Sequence, residues 1–309
     1  VRVLVLGGTS FVGRAIVATL LRHHEVGVLN RGRNPIWQGR AAQLTADRND
    51  PASVRRALTG GYDCVVDVSA MAGAHIDSTS APLRALGVRR YVHISSGVVY
   101  DSASTPVPFR EDAPVPGDAR WGRYGIGKAE AEQRLRRLDF PELTVLRPPY
   151  VYGPHNNDQR EQFLWARLLG GRPVFVPGTG GTRIQFCPVE HLADVVLAAC
   201  DGAIPAGTFN VAEARSYPFD DYVRVLADVA SVEPDIVHVT DPAVNAIAHF
   251  PFFDYEMLLD TTALERTAAP APVDLATGLT AALAWFRAHG KIEFRPTAWE
   301  AARAPGSGE

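Results

Sequence analysis

The chain has 309 residues, 46% hydrophobic and 21% charged, with a net charge of −3. That composition excludes a disordered chain, and no apolar run approaches the roughly 18 to 20 residues that span a bilayer. Three scattered cysteines, Cys64, Cys187 and Cys200, and a near balance of 31 basic and 34 acidic residues argue against a disulfide framework, a zinc site and an electrostatic footprint for nucleic acid.

The opening Val1-Arg2-Val3-Leu4-Val5-Leu6 carries none of the marks of a signal peptide. With so few cysteines, this makes the expected setting a reducing cytoplasm. The expected partner is a small molecule, with no membrane, no nucleic acid and no metal.

Over the first 150 residues, short β-rich runs alternate with amphipathic stretches, the pattern of a parallel sheet covered by helices. Strands are predicted at Val3 to Leu6, Val26 to Leu29, Gln43 to Thr45, Cys64 to Val68, Tyr91 to Ser95 and Thr144 to Leu146. Beyond Gly153 come a helix near Gln159 to Leu169, a glycine-rich turn at Gly178 to Gly181, and a strand and helix through Val189 to Cys200. Thr208 to Val211, Phe219 to Ala230, Ile236 to Val239 and a last amphipathic helix at Leu275 to His289 follow. The segment 295–309 lacks apolar periodicity and is expected to be a disordered tail.

Directly after the first strand stands Gly7-Gly8-Thr9-Ser10-Phe11-Val12-Gly13, leading into a helix. Glycines between strand and helix let backbone amides approach a pyrophosphate at the positive helix end, so this context points to a dinucleotide. After the second strand, Asn30-Arg31-Gly32-Arg33 occupies the place where an acid would hold the ribose hydroxyls of NAD. Two guanidiniums there suit a 2′-phosphate, which favours NADP(H) within an NAD(P) assignment. A solvated basic loop is the alternative.

Tyr124 and Lys128 lie four apart on a predicted helix and so share one face. An ammonium beside the phenol, together with an oxidised nicotinamide, would lower its pKa from about 10 toward neutrality and fit it for proton transfer.

The ordered motifs GGTSFVG at Gly7, ADRND around Asp47, ISSGVVY around Ser96, YGIGK from Tyr124 to Lys128 and LRPPYVYGP ending at Pro154 resemble the extended short-chain dehydrogenase/reductase family, the NAD-dependent epimerase/dehydratase group. The resemblance runs from Val1 to about His289. It implies an α/β fold: a Rossmann-type doubly wound parallel sheet with a smaller, interleaved C-terminal substrate lobe. Residues 1–153 would form the dinucleotide-binding domain, with 186–211 returning to it, and 154–185 with 212–292 the substrate lobe.

The resemblance implies that Ser96, Tyr124 and Lys128 are catalytic, Ser96 orienting the carbinol oxygen, and that Asp47 binds the adenine amino group. The candidate cofactor-binding set is Gly7, Thr9, Ser10, Phe11, Val12, Gly13, Asn30, Arg31, Arg33, Asp47, Arg48, Ser69, Ala70, Tyr124, Lys128, Pro148 and Tyr150. Ser96, Gly97, Asn157 and Arg183 are the candidate substrate contacts, Arg183 as a phosphate ligand. Where 4,6-dehydratases of the family carry an Asp-Glu pair, this chain has Gly97-Val98, and Val98 also replaces the acid/base cysteine of 3,5-epimerases. What remains is redox at one carbon, as an epimerase of a nucleotide-activated sugar or an NADPH-dependent ketoreductase; a non-enzymatic cofactor-sensing or RNA-binding relative is the reading from another class. Tyr150 stands where sugar-nucleotide members often place an Asn. The resemblance implies a homodimer through helices next to the active-site helix, where Ala129, Ala131 and Leu135 allow close packing; burial of the three within the chain is the alternative. The aromatic run Phe250, Phe252, Phe253 and Tyr255 is expected to pack the lobe.

Overall fold

The computed structural model describes residues 1–138 and 140–303. Its strands are β1 (Arg2–Leu6), β2 (Glu25–Asn30), β3 (Ala42–Thr45), β4 (Cys64–Asp67), β5 (Arg90–Ile94), β6 (Glu142–Arg147), β7 (Tyr150–Tyr152), β8 (Val174–Pro177), β9 (Arg183–Pro188), β10 (Gly207–Asn210), β11 (Ser216–Pro218) and β12 (Ile236–Val239). Its α-helices are α1 (Phe11–Leu20), α2 (Pro51–Ala57), α3 (Gly73–Ala85), α4 (Arg123–Arg136), α5 (Arg160–Leu168), α6 (Val189–Asp201), α7 (Phe219–Ala230), α8 (Thr262–Glu265), α9 (Leu275–Ala288) and α10 (Ala298–Ala301).

Among the described residues, seven strands form one parallel sheet in the order β10-β6-β5-β4-β1-β2-β3. The six strands predicted from the first 150 residues are joined by β10, which extends the sheet beyond β6. The strands are near-continuous apolar runs because both faces are covered. Val3, Val5, Val26, Val28 and Val66 face α1 and α6 on one side, and Leu4, Leu6, Val65 and Tyr91 face α2, α3 and α4 on the other. The order reverses between β1 and β4, and the carboxyl ends of strands at such a switch point leave a crevice.

The rest of the chain builds a second core around Trp165, Phe186, Phe219, Tyr222, Phe250 and Phe252, beneath α5, α7 and α9. A three-stranded sheet, β11-β9-β7, and the pair β12-β8 belong to this part. Phe250 and Phe252 are 2% exposed and interlock with Phe219, Tyr150 and Tyr222. Phe250 and Phe252 therefore pack this core, whereas Phe253 and Tyr255 are half-buried and meet Trp121.

One expectation is corrected. The tail expected from 295 carries helix α10, whose Thr297 and Glu300 form a reciprocal cap; residues 304–309 lie outside the described residues. Of the two uses open to Ala129, Ala131 and Leu135, a dimer contact or burial within the chain, the structure shows burial: all are at most 1% exposed, Ala131 and Leu135 against the sheet and Ala129 in the second core. No helix among the described residues is long and apolar enough to cross a membrane.

Candidate functional site

One cavity of about 880 Å³ opens over the carboxyl ends of β1, β2, β4 and β5. Its floor is the turn after β1. Gly7 and Gly8 have φ of +91° and +136°, a region that only glycine enters without strain. A Cβ on Gly13 would lie 2.8 Å from the backbone nitrogen and Cα of Gly8, so α1 rests directly on the turn because position 13 has no side chain. The Trp37 indole N–H donates to the Gly8 carbonyl at 2.6 Å and fixes the turn from behind. The cradle thus fits a pyrophosphate, with Gly7, Thr9, Ser10, Phe11, Val12 and Gly13 all lining it.

At the end of β2, Asn30 accepts from the Gly32 amide at 2.7 Å, and Arg31 and Arg33 stand exposed on the cavity rim. Asp47, also on the rim, accepts from the Asn49 amide and side chain at 2.9 Å each. Those bonds hold its carboxyl below the usual range, with smaller help from Arg31 and Arg33. Asn49, Ser69, Met71 and His75 complete this end.

The opposite end gathers Ser96, Tyr124 and Lys128. Helix α4 can approach so closely because of its glycines. A Cβ on Gly125 would lie 2.6 Å from the Asp118 carbonyl oxygen, and one on Gly127 would overlap the Met71 carbonyl. Tyr124, 37% exposed, reaches into the cavity, whereas Lys128 is 2% exposed and donates to the Ile94 carbonyl at 2.7 Å. Burial drives the Lys128 ammonium down to about 8, partly offset by Asp67. The Tyr124 phenol, hydrogen-bonded to the Ser96 hydroxyl, is raised by burial; the Ser96 bond and Arg160 pull it back, while Asp158 pushes it further up. Ser95 next door donates to Glu132 at 2.5 Å, inside a buried pair of Glu132 with Arg147 at 2.6 Å, so it serves the fold.

Pro148, Tyr150 and Asn157 line the cavity. Three expected contacts do not. Ala70 is fully buried and its amide donates to Asp67. Gly97 faces Met257 and Leu259, where a Cβ would sit 3.3 Å from the Met257 sulfur. Arg183 donates to the Ser216 hydroxyl and carbonyl at 2.7 to 3.0 Å, joining β9 to β11, and is absent from the cavity wall. Arg48 reaches the wall, but its guanidinium is bound up with Asp67, Ser69 and the His75 carbonyl.

Several lining residues escaped the sequence reading. Trp121 sits in the turn before α4 and donates to the Tyr255 hydroxyl at 2.7 Å. Met257 follows the aromatic run. Arg160 lies 5.2 Å above the Tyr150 ring and pairs with Asp158 at 2.9 Å. The charged pair so soon after Gly153-Pro154 was a usable signal; Met257 offered none.

The NAD dependent epimerase/dehydratase family matches residues 3–212. Over 304 residues the chain is 28% identical to the chloroplast stem-loop binding protein of 41 kDa b of Arabidopsis thaliana, covering 90% of this chain and 77% of that protein. Over 324 residues it is 22% identical to the ceramide reductase of Caulobacter vibrioides, covering 93% and 95%. The UDP-glucose 4-epimerase of Thermotoga maritima, solved with UDP-glucose, superposes with a TM-score of 0.78 at 19% identity, covering 94% of this chain and 99% of that one. That last likeness is one of fold.

Proposed function

The chain belongs to the NAD-dependent epimerase/dehydratase family, as an enzyme of the extended short-chain dehydrogenase/reductase type, and on that premise we propose that it epimerises a nucleotide-activated sugar. The observation that carries the proposal is the convergence of Ser96, Tyr124 and Lys128 on the same cavity as the glycine turn.

The turn from Gly7 to Gly13, with Asn30, Arg31, Arg33 and Asp47, would hold the dinucleotide. Bound nicotinamide supplies a hydride acceptor and, in its reduced form, a hydride donor. Ser96 would donate a hydrogen bond to the carbinol oxygen, and Tyr124, as tyrosinate, would take the hydroxyl proton as the carbon gives up its hydride. Lys128 places a fixed positive charge behind the phenol. In the return step Tyr124 gives the proton back to the keto oxygen as the opposite face is reduced. The related 4-epimerase solved with UDP-glucose supports a sugar nucleotide as substrate.

A second reading, an NADPH-dependent ketoreductase, is favoured by two placements. Arg31 and Arg33 stand at the rim with no carboxylate at Asn30, and the substrate end is walled by Trp121, Tyr150 and Met257 while Arg183 is turned elsewhere. The similarity to a ceramide reductase supports the same alternative.

The two separate on the dinucleotide released when purified protein is denatured and identified by mass. Stoichiometric, slowly exchanging NAD(P) with interconversion of UDP-glucose and UDP-galactose is the epimerase result. An empty site that binds NADPH reversibly, with no such interconversion, is the reductase result.

A further inference from the structure

Strands β3 and β4 are separated in the sheet by β2 and β1, a span of roughly 14 Å at the usual strand spacing. Yet the loops that follow them, Asp47 to Asn49 and Ser69 to His75, are fastened to each other. Arg48 Nη1 donates to Asp67 Oδ1 at 2.8 Å and to Ser69 Oγ at 2.7 Å; Nη2 donates to Asp67 Oδ2 at 2.8 Å and to the His75 carbonyl at 3.0 Å. Those four bonds use all four hydrogens of the two terminal nitrogens, and the remaining Nε–H is buried without a partner among the described residues. Neither terminal nitrogen of Arg48 has a hydrogen left for a ligand phosphate.

Asp67 is saturated in the same way. Its carboxylate also accepts from the Tyr91 hydroxyl at 2.8 Å and from the amides of Ser69 and Ala70 at 3.1 and 3.0 Å. A second tie lies beside the first: His75 Nδ1 accepts from the Met71 amide at 3.0 Å, which leaves Nε2 as the donor toward Asn49 Oδ1 at 3.1 Å. Asp67 is wholly buried and the Arg48 side chain is 11% exposed. A buried ion pair of this kind adds little net stability relative to apolar packing, because desolvation offsets the attraction. Its geometric effect is large, since the fork accepts only one arrangement of the two loops.

We infer that Arg48 is a positioning residue of the cavity: through Asp67 it fixes the loops after β3 and β4 in the spacing that receives the adenosine half of a dinucleotide, without touching the dinucleotide itself. The inference rests on the reading of the cavity as a dinucleotide site.

The test titrates NADPH and NADH into the full chain without substrate, reading nicotinamide fluorescence, and then measures turnover at saturating cofactor. Arg48→Met/Asp67→Asn removes both members of the buried ion pair, and the amide oxygen can still accept from Ser69 and Ala70 while its Nδ2 donates to the Tyr91 oxygen. It is expected to weaken dinucleotide binding tenfold or more while kcat at saturation stays within threefold. Arg48→Lys, which keeps the charge and loses the fork, is expected to rescue only part of the affinity. Tyr91→Phe loosens Asp67 from outside the cavity in an almost isosteric way. It covers the case of a double variant that fails to fold, with an expected weakening of about threefold and unchanged kcat.

Affinities within 1.5-fold of wild type in Tyr91→Phe and in whichever Arg48 variants fold would overturn the inference. So would a tenfold fall in kcat at unchanged affinity. A wild-type chain that takes up no dinucleotide would overturn the dinucleotide reading and this inference together, whereas tight wild-type binding with insensitive variants would overturn the inference alone.

Discussion

Lys128 sends its ammonium to the main-chain carbonyl of Ile94 at 2.7 Å, so the charge behind Tyr124 is anchored to the last residue of β5 and not to a mobile side chain. The burial of that charge is costly. The drop of its pKa from 10.5 to about 8 corresponds to roughly 3 kcal/mol of disfavoured protonated form.

The sign follows from linkage. Between pH 8 and 10.5 the unfolded chain holds a proton on Lys128 that the folded chain has lost, so stability rises with pH across that window. Lys128→Met is therefore expected to be more stable than wild type below pH 8, by up to about 3 kcal/mol, with the advantage shrinking toward pH 10.5. Urea unfolding of both proteins from pH 7 to 10.5 checks this, and a variant destabilised at pH 7 would contradict it. The same variant is expected to lose turnover.

Removing the Tyr124 hydroxyl while keeping the ring should leave the cofactor cradle intact. Tyr124→Phe is expected to lower kcat by about 10² to 10⁴ with dinucleotide affinity within threefold of wild type. Ser96→Ala should follow in the same direction, because its hydroxyl meets the phenol and, in the proposed mechanism, would meet the carbinol oxygen. Parallel turnover assays and dinucleotide titrations check both; a cofactor site lost along with activity would point to misfolding of the turn.

Cofactor choice should depend on the two rim guanidiniums. Arg31→Ala/Arg33→Ala is expected to weaken NADP(H) tenfold or more, leave NAD(H) within threefold, and reduce the salt dependence of NADP(H) binding. Equal losses for both dinucleotides in calorimetric titrations would assign these arginines to the surface.

At the C-terminal end, Arg167 is 1% exposed and grips Glu300 through two bonds of 2.6 and 2.9 Å, with Phe163 and Phe294 against its guanidinium. Glu300→Ala leaves that cation buried without its counter-ion, expected to cost about 3 kcal/mol. A thermal midpoint unchanged by the variant would contradict it. The link also secures α5, whose first residue is the cavity residue Arg160.

The parts of this molecule legible in the sequence were those governed by local rules. Helix α7 and strand β12 have the predicted bounds, because apolar period and turn residues both mark them. The glycine turn and α4 could be placed for the same reason. Strands β7, β8 and β11 each contain or adjoin a proline or glycine that reads as a turn, and they pair with distant partners, β9 and β12.

Long-range pairing was invisible. Arg183 reads as a phosphate ligand in the sequence but is held by Ser216, and Arg48 reads as a cofactor contact but closes its fork on Asp67. The tail was read as disordered because its anchors, Arg167, Phe175 and His249, lie far away in sequence.

The central claim is that the cavity passes a hydride to and from a substrate carbon with Tyr124 carrying the proton. Protein loaded with NAD(P)⁺ is mixed rapidly with UDP-glucose while the absorbance band of reduced nicotinamide is followed, for wild type and for Tyr124→Phe. A transient rise in the wild type and none in a variant that retains its dinucleotide is the predicted result. Sugar turnover that persists undiminished in Tyr124→Phe, without reduced nicotinamide in either protein, would contradict it.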